Sequence, residues 1–209
     1  MKKIGSLIII AVILIGGVIF FEKAKAPEAK VEAEKTNNEV PKLNEKVEEK
    51  KMGELKFPGV LPDEKIKNKK VVLTTTKGVI EFELYADKAP KTVSNFVALA
   101  ESKYYDGLTF HRVVPDFVIQ GGDPTGNGTG GPGYQFEDEP VVGDYKLGTV
   151  AMANSGPDSN GSQFFICLDD LSTLPKSYNL FGQVTKGIEV VKEIAVGNKM
   201  EKVEIANLN

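Results

Sequence analysis

The chain has 209 residues, of which 41% are hydrophobic, and a formal net charge of −3 at pH 7, so it has enough apolar side chains to bury a core. It contains one cysteine and one histidine, which excludes an internal disulfide and leaves almost no room for a zinc site of the usual ligands. Residues 71–209 hold eighteen acidic and eleven basic side chains, a formal charge of −7. We expect no nucleic-acid partner, because a phosphate backbone requires a dense basic face.

The amino-terminal segment, residues 1–21, has the pattern of a membrane anchor or a signal sequence. Lys2 and Lys3 precede an uncharged apolar run from Ile4 to Phe21, which as a helix would extend about 27 Å, close to the hydrocarbon thickness of a bilayer. We predict a retained anchor with the following domain outside the cytoplasm, because basic residues precede the span. The alternative is a cleaved signal peptide and a secreted protein, with Ala24-Lys25-Ala26 as the nearest small-residue cleavage site.

Residues 22–70 have the composition of a charged flexible linker. They contain eleven acidic side chains and thirteen lysines but few large apolar ones, so little apolar surface is available to offset the loss of chain entropy on folding. One apolar stretch, from Phe57 to Pro62, has enough hydrophobic surface to dock on the following domain. Its two prolines argue against a regular element there.

Residues 71–209 have the pattern of a mainly β domain. Residues 71–76 and 79–85 flank Lys77-Gly78 and predict a β-hairpin. Pro90 in a first turn, followed by apolar residues at helical spacing, predicts one helix, and residues 187–195 predict a second. Further strands are predicted at residues 108–114, 117–120, 148–153, 163–168, 181–184 and 203–205. These elements favour a closed antiparallel barrel capped by two helices, since closure removes exposed strand edges.

The chain has twenty-five lysines and a single arginine, Arg112, which directly follows the single histidine, His111, in an otherwise apolar stretch. A guanidinium group provides a planar fork of donors that an ammonium group lacks. The structural alternative is a half-buried arginine held by a carboxylate. If this stretch is a strand, the side chains of His111 and Arg112 point to opposite faces, and we expect His111 to be structural.

Four sequence blocks that surround this arginine or follow it form a specific set. They are Phe110 to Pro115 with Gln120 to Asp123, Gly126 to Gly131, Met152 to Asn154 with Asn160 to Ile166, and Phe181 to Val184. Together, and in this order, they resemble the cyclophilin family of peptidyl-prolyl cis-trans isomerases over residues 71–209. The resemblance implies an eight-stranded antiparallel barrel with two capping helices. It also implies that the substrates are unfolded or proline-containing polypeptides. The isomerisation that it implies needs neither a cofactor nor a metal.

The resemblance also assigns roles to individual residues. Arg112 matches the catalytic arginine and Gln120 the glutamine that orients it, and Phe117 completes the catalytic set as a wall of the proline pocket. The positions that match substrate-binding residues are Asn154, Gln163, Phe165, Leu174 and Tyr178. Phe165 and Leu174 would otherwise be ordinary core residues.

Two departures from the family pattern fall in the loop from Leu171 to Tyr178. Tyr178 stands where many members have a histidine, and its aromatic ring suits a pocket wall. Thr173 stands where cyclosporin-sensitive members have a tryptophan, and the chain has no tryptophan. We therefore expect turnover to be retained and tight binding of cyclosporin to be lost.

Two functions follow from these residues. The first is a membrane-tethered, monomeric isomerase that accelerates X-Pro rotation in proteins that fold outside the cytoplasm. The second is a non-catalytic module or holdase that binds proline-containing peptides. The acidic run Glu137-Asp138-Glu139 could bind calcium, but an exposed charged loop is the expected interpretation.

Overall fold

The computed structural model describes residues 55–208, which form eight β-strands and three α-helices. The predicted anchor at residues 1–21 lies outside the described residues, as does the linker up to residue 54. Within residues 55–208 no helix has the length and apolarity to cross a membrane. The strands are β1 (Lys69–Thr75), β2 (Gly78–Leu84), β3 (Arg112–Val114), β4 (Val118–Gly121), β5 (Thr149–Met152), β6 (Phe164–Cys167), β7 (Leu180–Lys186) and β8 (Met200–Asn207), and the helices are α1 (Asp63–Ile66), α2 (Pro90–Glu101) and α3 (Ile188–Glu193).

The eight strands form one antiparallel sheet in the order β3-β4-β6-β5-β7-β2-β1-β8. This order corrects the predicted closed barrel, because β3 and β8 are its two ends and no strand ladder joins them within residues 55–208. A single bridge between Thr109 and Lys199 connects the segments that precede these two strands. The sheet is therefore a half-barrel, although it has the expected eight antiparallel strands.

The predicted strand at residues 108–114 divides its pairing between two partners, which shortens β3 and leaves no ladder between β3 and β8. Leu108 accepts a hydrogen bond from the Met200 amide at 2.8 Å, and the Phe110 amide donates to Asn198 at 2.9 Å. From Arg112 onward the chain pairs with β4 instead. Only residues 112–114 therefore belong to β3, and Arg112 lies at its first position.

The predicted hairpin and the two predicted helices are confirmed. β1 and β2 pair antiparallel, with Thr75 opposite Gly78. α2 begins at Pro90, and its buried Phe96 packs against aromatic rings of the sheet, including Phe164 at 5.5 Å between centroids. α3 follows Gly187, which has a φ of +80° and lies so close to the Val79 carbonyl oxygen that a Cβ would collide with it.

The amino-terminal end of α2 is capped by a residue from a distant loop. Ala89 at the N-cap position provides no side-chain hydrogen bond. The Glu139 carboxylate instead accepts hydrogen bonds from the amides of Lys91 at 2.9 Å and Thr92 at 2.8 Å. Glu139 is thus a buried capping residue, not part of an exposed loop. Residues 55–208 contain no acidic, histidine or cysteine cluster of three that could hold a metal ion.

The folded part also includes residues that the charge pattern assigns to the linker. Phe57 and Leu61 are half-buried against the hydrophobic core, and Ile66 of α1 is 1% exposed. The Leu61 amide donates to the Ser94 hydroxyl on α2 at 2.9 Å. The docking expected of the apolar stretch from Phe57 to Pro62 is therefore confirmed, although the high charge around it gives the segment the composition of a linker.

Candidate active site

The first feature of the candidate site is Arg112, whose position is set by the pairing of β3 with β4. Arg112 and Gln120 are directly opposite in this antiparallel pair, so their side chains lie on the same face. The Arg112 Nη1 donates to the Gln120 Oε1 at 3.2 Å. Among residues 55–208 no carboxylate lies within ion-pair distance of Arg112, which removes the alternative of an arginine held by an acid.

Gln120 is held in turn by a second glutamine, and the two amides form a polar relay to Arg112. The Gln120 Nε2 donates to the Gln163 Oε1 at 3.0 Å. The Gln163 Nε2 donates to the carbonyl oxygens of Gly130 at 2.9 Å and Gly128 at 3.0 Å. Two carbonyl acceptors fix the Nε2 side of Gln163, so its oxygen faces Gln120 and the oxygen of Gln120 faces the guanidinium.

The loop that supplies those two carbonyls is organised by Asp123. Its carboxylate accepts hydrogen bonds from the Thr125 amide at 2.7 Å, the Thr125 hydroxyl at 2.8 Å and the Asn127 amide at 3.0 Å. Burial alone would raise the pKa of Asp123, but hydrogen bonds from Thr125, Gly128 and Gly130 prevail and lower the pKa to about 2. A buried anion therefore fixes the loop at neutral pH.

Beside the arginine lies a cavity of about 320 Å³ with both apolar and polar walls. The Phe117 ring lies 5.8 Å from the Arg112 Cζ, within the range of a cation–π contact. Phe165 is opposite Gln120 in the pairing of β4 with β6, so it borders the same face as the arginine. The lining residues are Arg112, Phe117, Val118, Gln120, Ala153, Asn154, Phe165, Leu174 and Tyr178.

Seven of the eight predicted site residues line this cavity, and the eighth, Gln163, contacts it through Gln120. Their individual roles stay predictions, since position alone does not assign a role. Sequence reasoning missed Val118 and Ala153 as lining residues. Each directly adjoins a predicted residue in the sequence, but its apolar side chain has no functional group that would mark it as part of a site.

The far wall of the cavity is a loop fixed by Tyr145. The Tyr145 hydroxyl donates to the Tyr178 carbonyl at 2.7 Å and accepts from the Tyr178 amide at 3.0 Å. The Tyr178 ring then packs edge-on against Phe165 at 5.5 Å between centroids. The Asn154 Nδ2 donates to the Ser177 carbonyl at 2.8 Å, so the side chain of Asn154 anchors this same loop.

The expected loss of cyclosporin binding, based on Thr173, stays a prediction.

His111 lies outside this cavity and packs near the loop that Asp123 holds. A Cβ on Gly128 would lie 3.8 Å from the His111 Nε2. Neither ring nitrogen has a hydrogen-bond partner within residues 55–208. Burial lowers the pKa of His111, and the nearby Asp123 only partly opposes that shift. A neutral imidazole in this position agrees with the expected structural role.

A second, larger cavity of about 680 Å³ adjoins the first one. Ala153 and Asn154 line both cavities, and Gln163 lines the second one. Its other walls come from residues 128–135 and from the turn that includes Gly161. The two cavities give the site the form of an extended groove.

Comparison with known proteins identifies the family. Residues 70–208 match the family model described as cyclophilin type peptidyl-prolyl cis-trans isomerase/CLD. Peptidyl-prolyl cis-trans isomerase-like 1 of Mus musculus is 50% identical over 131 residues, which cover 60% of this chain and 79% of the relative. Peptidyl-prolyl cis-trans isomerase B of Bacillus subtilis is 48% identical over 128 residues, which cover 60% of this chain and 90% of the relative.

A solved structure shows the same fold. The crystal structure of a cyclophilin type peptidyl-prolyl cis-trans isomerase from Cryptosporidium parvum superimposes with a TM-score of 0.62 at 34% sequence identity, and the match covers 66% of this chain and 98% of that chain. The half-barrel, the arrangement of its strands and the family match agree with one another. The chain therefore belongs to the cyclophilin-type family of peptidyl-prolyl cis-trans isomerases.

Proposed function

We propose that Arg112 is the catalytic group of this isomerase and that it acts on the nitrogen of an X-Pro bond. Rotation about that bond is opposed by amide resonance, with a barrier of about 20 kcal/mol. At the twisted transition state the prolyl nitrogen becomes pyramidal and regains its lone pair. A donor aimed at this nitrogen binds the transition state more strongly than either planar ground state, which is the condition for catalysis.

The observation that carries this proposal is a guanidinium beside the aromatic and aliphatic wall of a cavity, with no carboxylate partner among residues 55–208. One of its donors is used by Gln120, and a guanidinium has five N–H groups. The remaining donors are therefore available to a bound peptide. Phe117, Phe165 and Leu174 offer an apolar surface for a proline ring, and Arg112 lines the same cavity.

The reaction itself makes few demands on other residues. Rotation neither forms nor breaks a covalent bond, so no nucleophile, proton transfer or cofactor is needed. His111, the one imidazole of the chain, faces the loop of Gly128 and not the cavity. The binding energy of the peptide in the groove then serves to stabilise the twisted form of a single X-Pro amide bond.

NMR exchange spectroscopy on an X-Pro peptide tests the proposal with the full-length chain in detergent. We expect the wild-type protein to accelerate exchange and Arg112→Ala to lose most of that acceleration while its Kd for the peptide changes only a few-fold. Equal acceleration by the variant would refute the role of Arg112. Binding without acceleration by the wild-type chain would support the alternative of a binding module or holdase.

We also propose that the substrates are polypeptides that fold outside the cytoplasm, near the membrane. The support is the pattern of Lys2 and Lys3 before the apolar run to Phe21. Protease added to intact cells should digest the domain, and the mature protein should keep its full mass and sediment with membranes. A shortened protein in the medium would indicate cleavage and secretion. Light scattering of the detergent-solubilised chain checks the expected monomer.

A further inference from the structure

A short segment that lies outside the matched family region packs next to the groove. We define the strap as residues 55–61, which precede the family match at residues 70–208. Leu55, Phe57 and Leu61 are half-buried against the core, whereas Val60 is 55% exposed. The strap is therefore an ordered part of the domain, with one apolar face turned inward.

The main contact of the strap is made by Phe57 with two aromatic residues near the second cavity. Its ring stacks on Phe136 with 4.9 Å between centroids and an interplanar angle of 6°. It also lies 6.2 Å from the ring of Tyr134, which lines the second cavity. Stacked aromatic pairs restrict the rings they bring together, so Phe57 limits the movement of residues 134–136.

Residues 134–136 are bonded in turn to the segment that leads to Gln163. The Phe136 amide donates to the Asn160 carbonyl at 3.0 Å, and the Asn160 Nδ2 donates back to the Phe136 carbonyl at 3.2 Å. The Tyr134 hydroxyl donates to the Asn95 Oδ1 at 2.6 Å, and the Asn95 Nδ2 donates to the Gly161 carbonyl at 2.8 Å. Two independent connections thus hold residues 160–161 against the aromatic pair that Phe57 covers.

These contacts join the strap to the arginine by a continuous path. Gly161 is two residues before Gln163, and Gln163 fixes Gln120, which accepts the hydrogen bond of Arg112. We propose that Phe57 is a positioning residue for the amide relay: it holds residues 134–136 and 160–161, and thereby sets the place of Gln163 in the groove. This inference rests on the proposed role of Arg112. It assigns a functional task to a segment that the matched family region does not include.

The variants Phe57→Ala, Phe57→Tyr and Val60→Ala in the full-length chain test the proposal. We expect Phe57→Ala to lower kcat/KM for an X-Pro peptide about tenfold at a temperature well below its melting point, because small displacements in a catalytic arrangement have large effects on rate. Phe57→Tyr retains a ring that can stack and should recover most of the rate. Val60→Ala changes an exposed residue of the same segment and should match the wild type.

A double-mutant cycle separates positioning from general destabilisation. If Phe57 acts through Gln163, Phe57→Ala should lower the rate less than twofold in a Gln163→Ala background. A loss of equal size in both backgrounds, or unchanged kcat/KM in the folded Phe57→Ala protein, would overturn the proposal.

A readout that does not depend on turnover keeps this test distinct from that of the proposed function. Phe57→Ala should shift the NMR signals of the Gln163 side-chain amide and speed hydrogen exchange at the amide of Phe136, which donates to the Asn160 carbonyl, and Val60→Ala should do neither. If Arg112→Ala were fully active but these signals still moved, the catalytic proposal would fail and the structural path would stand. Unchanged signals in Phe57→Ala would refute the path itself.

Discussion

Replacing Gln120 with leucine tests whether the amide relay orients the guanidinium of Arg112, the proposed catalytic group. The substitution removes the acceptor that lies 3.2 Å from the Arg112 Nη1 and the donor that lies 3.0 Å from the Gln163 Oε1. It leaves the positive charge of Arg112 in place. A leucine is close to glutamine in size, so the half-buried position stays filled.

The size of the effect follows from the environment of this hydrogen bond. A hydrogen bond to a charged group contributes about 1.5 to 3 kcal/mol, and Arg112 is exposed, so water competes and the lower end applies. About 1.4 kcal/mol corresponds to tenfold in rate. We therefore expect Gln120→Leu to lower kcat/KM about tenfold, which is less than the loss in Arg112→Ala.

The same exchange assay measures this loss, and Gln120→Glu is the matched comparison. Glutamate keeps an acceptor for Arg112 but places a carboxylate oxygen against the Gln163 Oε1. Gln163 cannot turn without losing its bonds to Gly128 and Gly130, so we expect this variant to be impaired as well. A Gln120→Leu protein within twofold of the wild-type rate, in a series where Arg112→Ala is inactive, would show that the relay does not orient the arginine.

Three further predictions concern the supports of the site. The pKa of Asp123 is lowered to about 2 from 3.8, so its ionised form stabilises the fold above about pH 4, and this stabilisation is lost as the pH falls through about 2. In urea titrations, Asp123→Asn should therefore lower the free energy of unfolding by about 1 to 2 kcal/mol at pH 7 and by less at pH 3. Glu139→Ala removes the cap of α2 and should lower the free energy of unfolding by about 1 to 2 kcal/mol in the same titrations at pH 7, while Glu139→Gln should lose less; no change in either would contradict the capping role. Tyr145→Phe removes both hydrogen bonds to Tyr178 and should raise the Kd of an X-Pro peptide about three- to tenfold by calorimetry, since a looser pocket wall binds less well; an unchanged Kd would show that Tyr145 does not fix the wall.

Local signals in the sequence were sufficient for the elements that depend on short-range contacts. Pro90 with its helical spacing predicted α2 correctly, and the Lys77-Gly78 turn predicted the pairing of β1 with β2. The closed barrel was wrong because only residues 112–114 form β3, while the segment from Leu108 to Phe110 bonds to residues 198–200 without forming a ladder between β3 and β8. That division depends on contacts far apart in the sequence.

The candidate site was predictable as a set of residues because four motifs together match one family. Its construction was not predictable, because it depends on long-range partners. The carboxylate of Glu139 caps a helix that begins about fifty residues earlier in the chain. Likewise, Phe57 docks on Phe136 although the charged residues around it give the segment the composition of a linker. The apolar stretch from Phe57 to Pro62 did predict docking on the domain, but no local pattern identifies the partner residue of either contact.

The central claim is that the guanidinium of Arg112, and not merely a positive charge, stabilises the twisted X-Pro bond. Arg112→Lys keeps the charge but not the planar fork that can bind Gln120 and the prolyl nitrogen together. The ratio of kcat/KM between the wild type and Arg112→Lys, measured by NMR exchange on one X-Pro peptide, tests this most directly. We predict a loss of at least about tenfold with a Kd close to that of the wild type, whereas a fully active lysine variant would contradict the account.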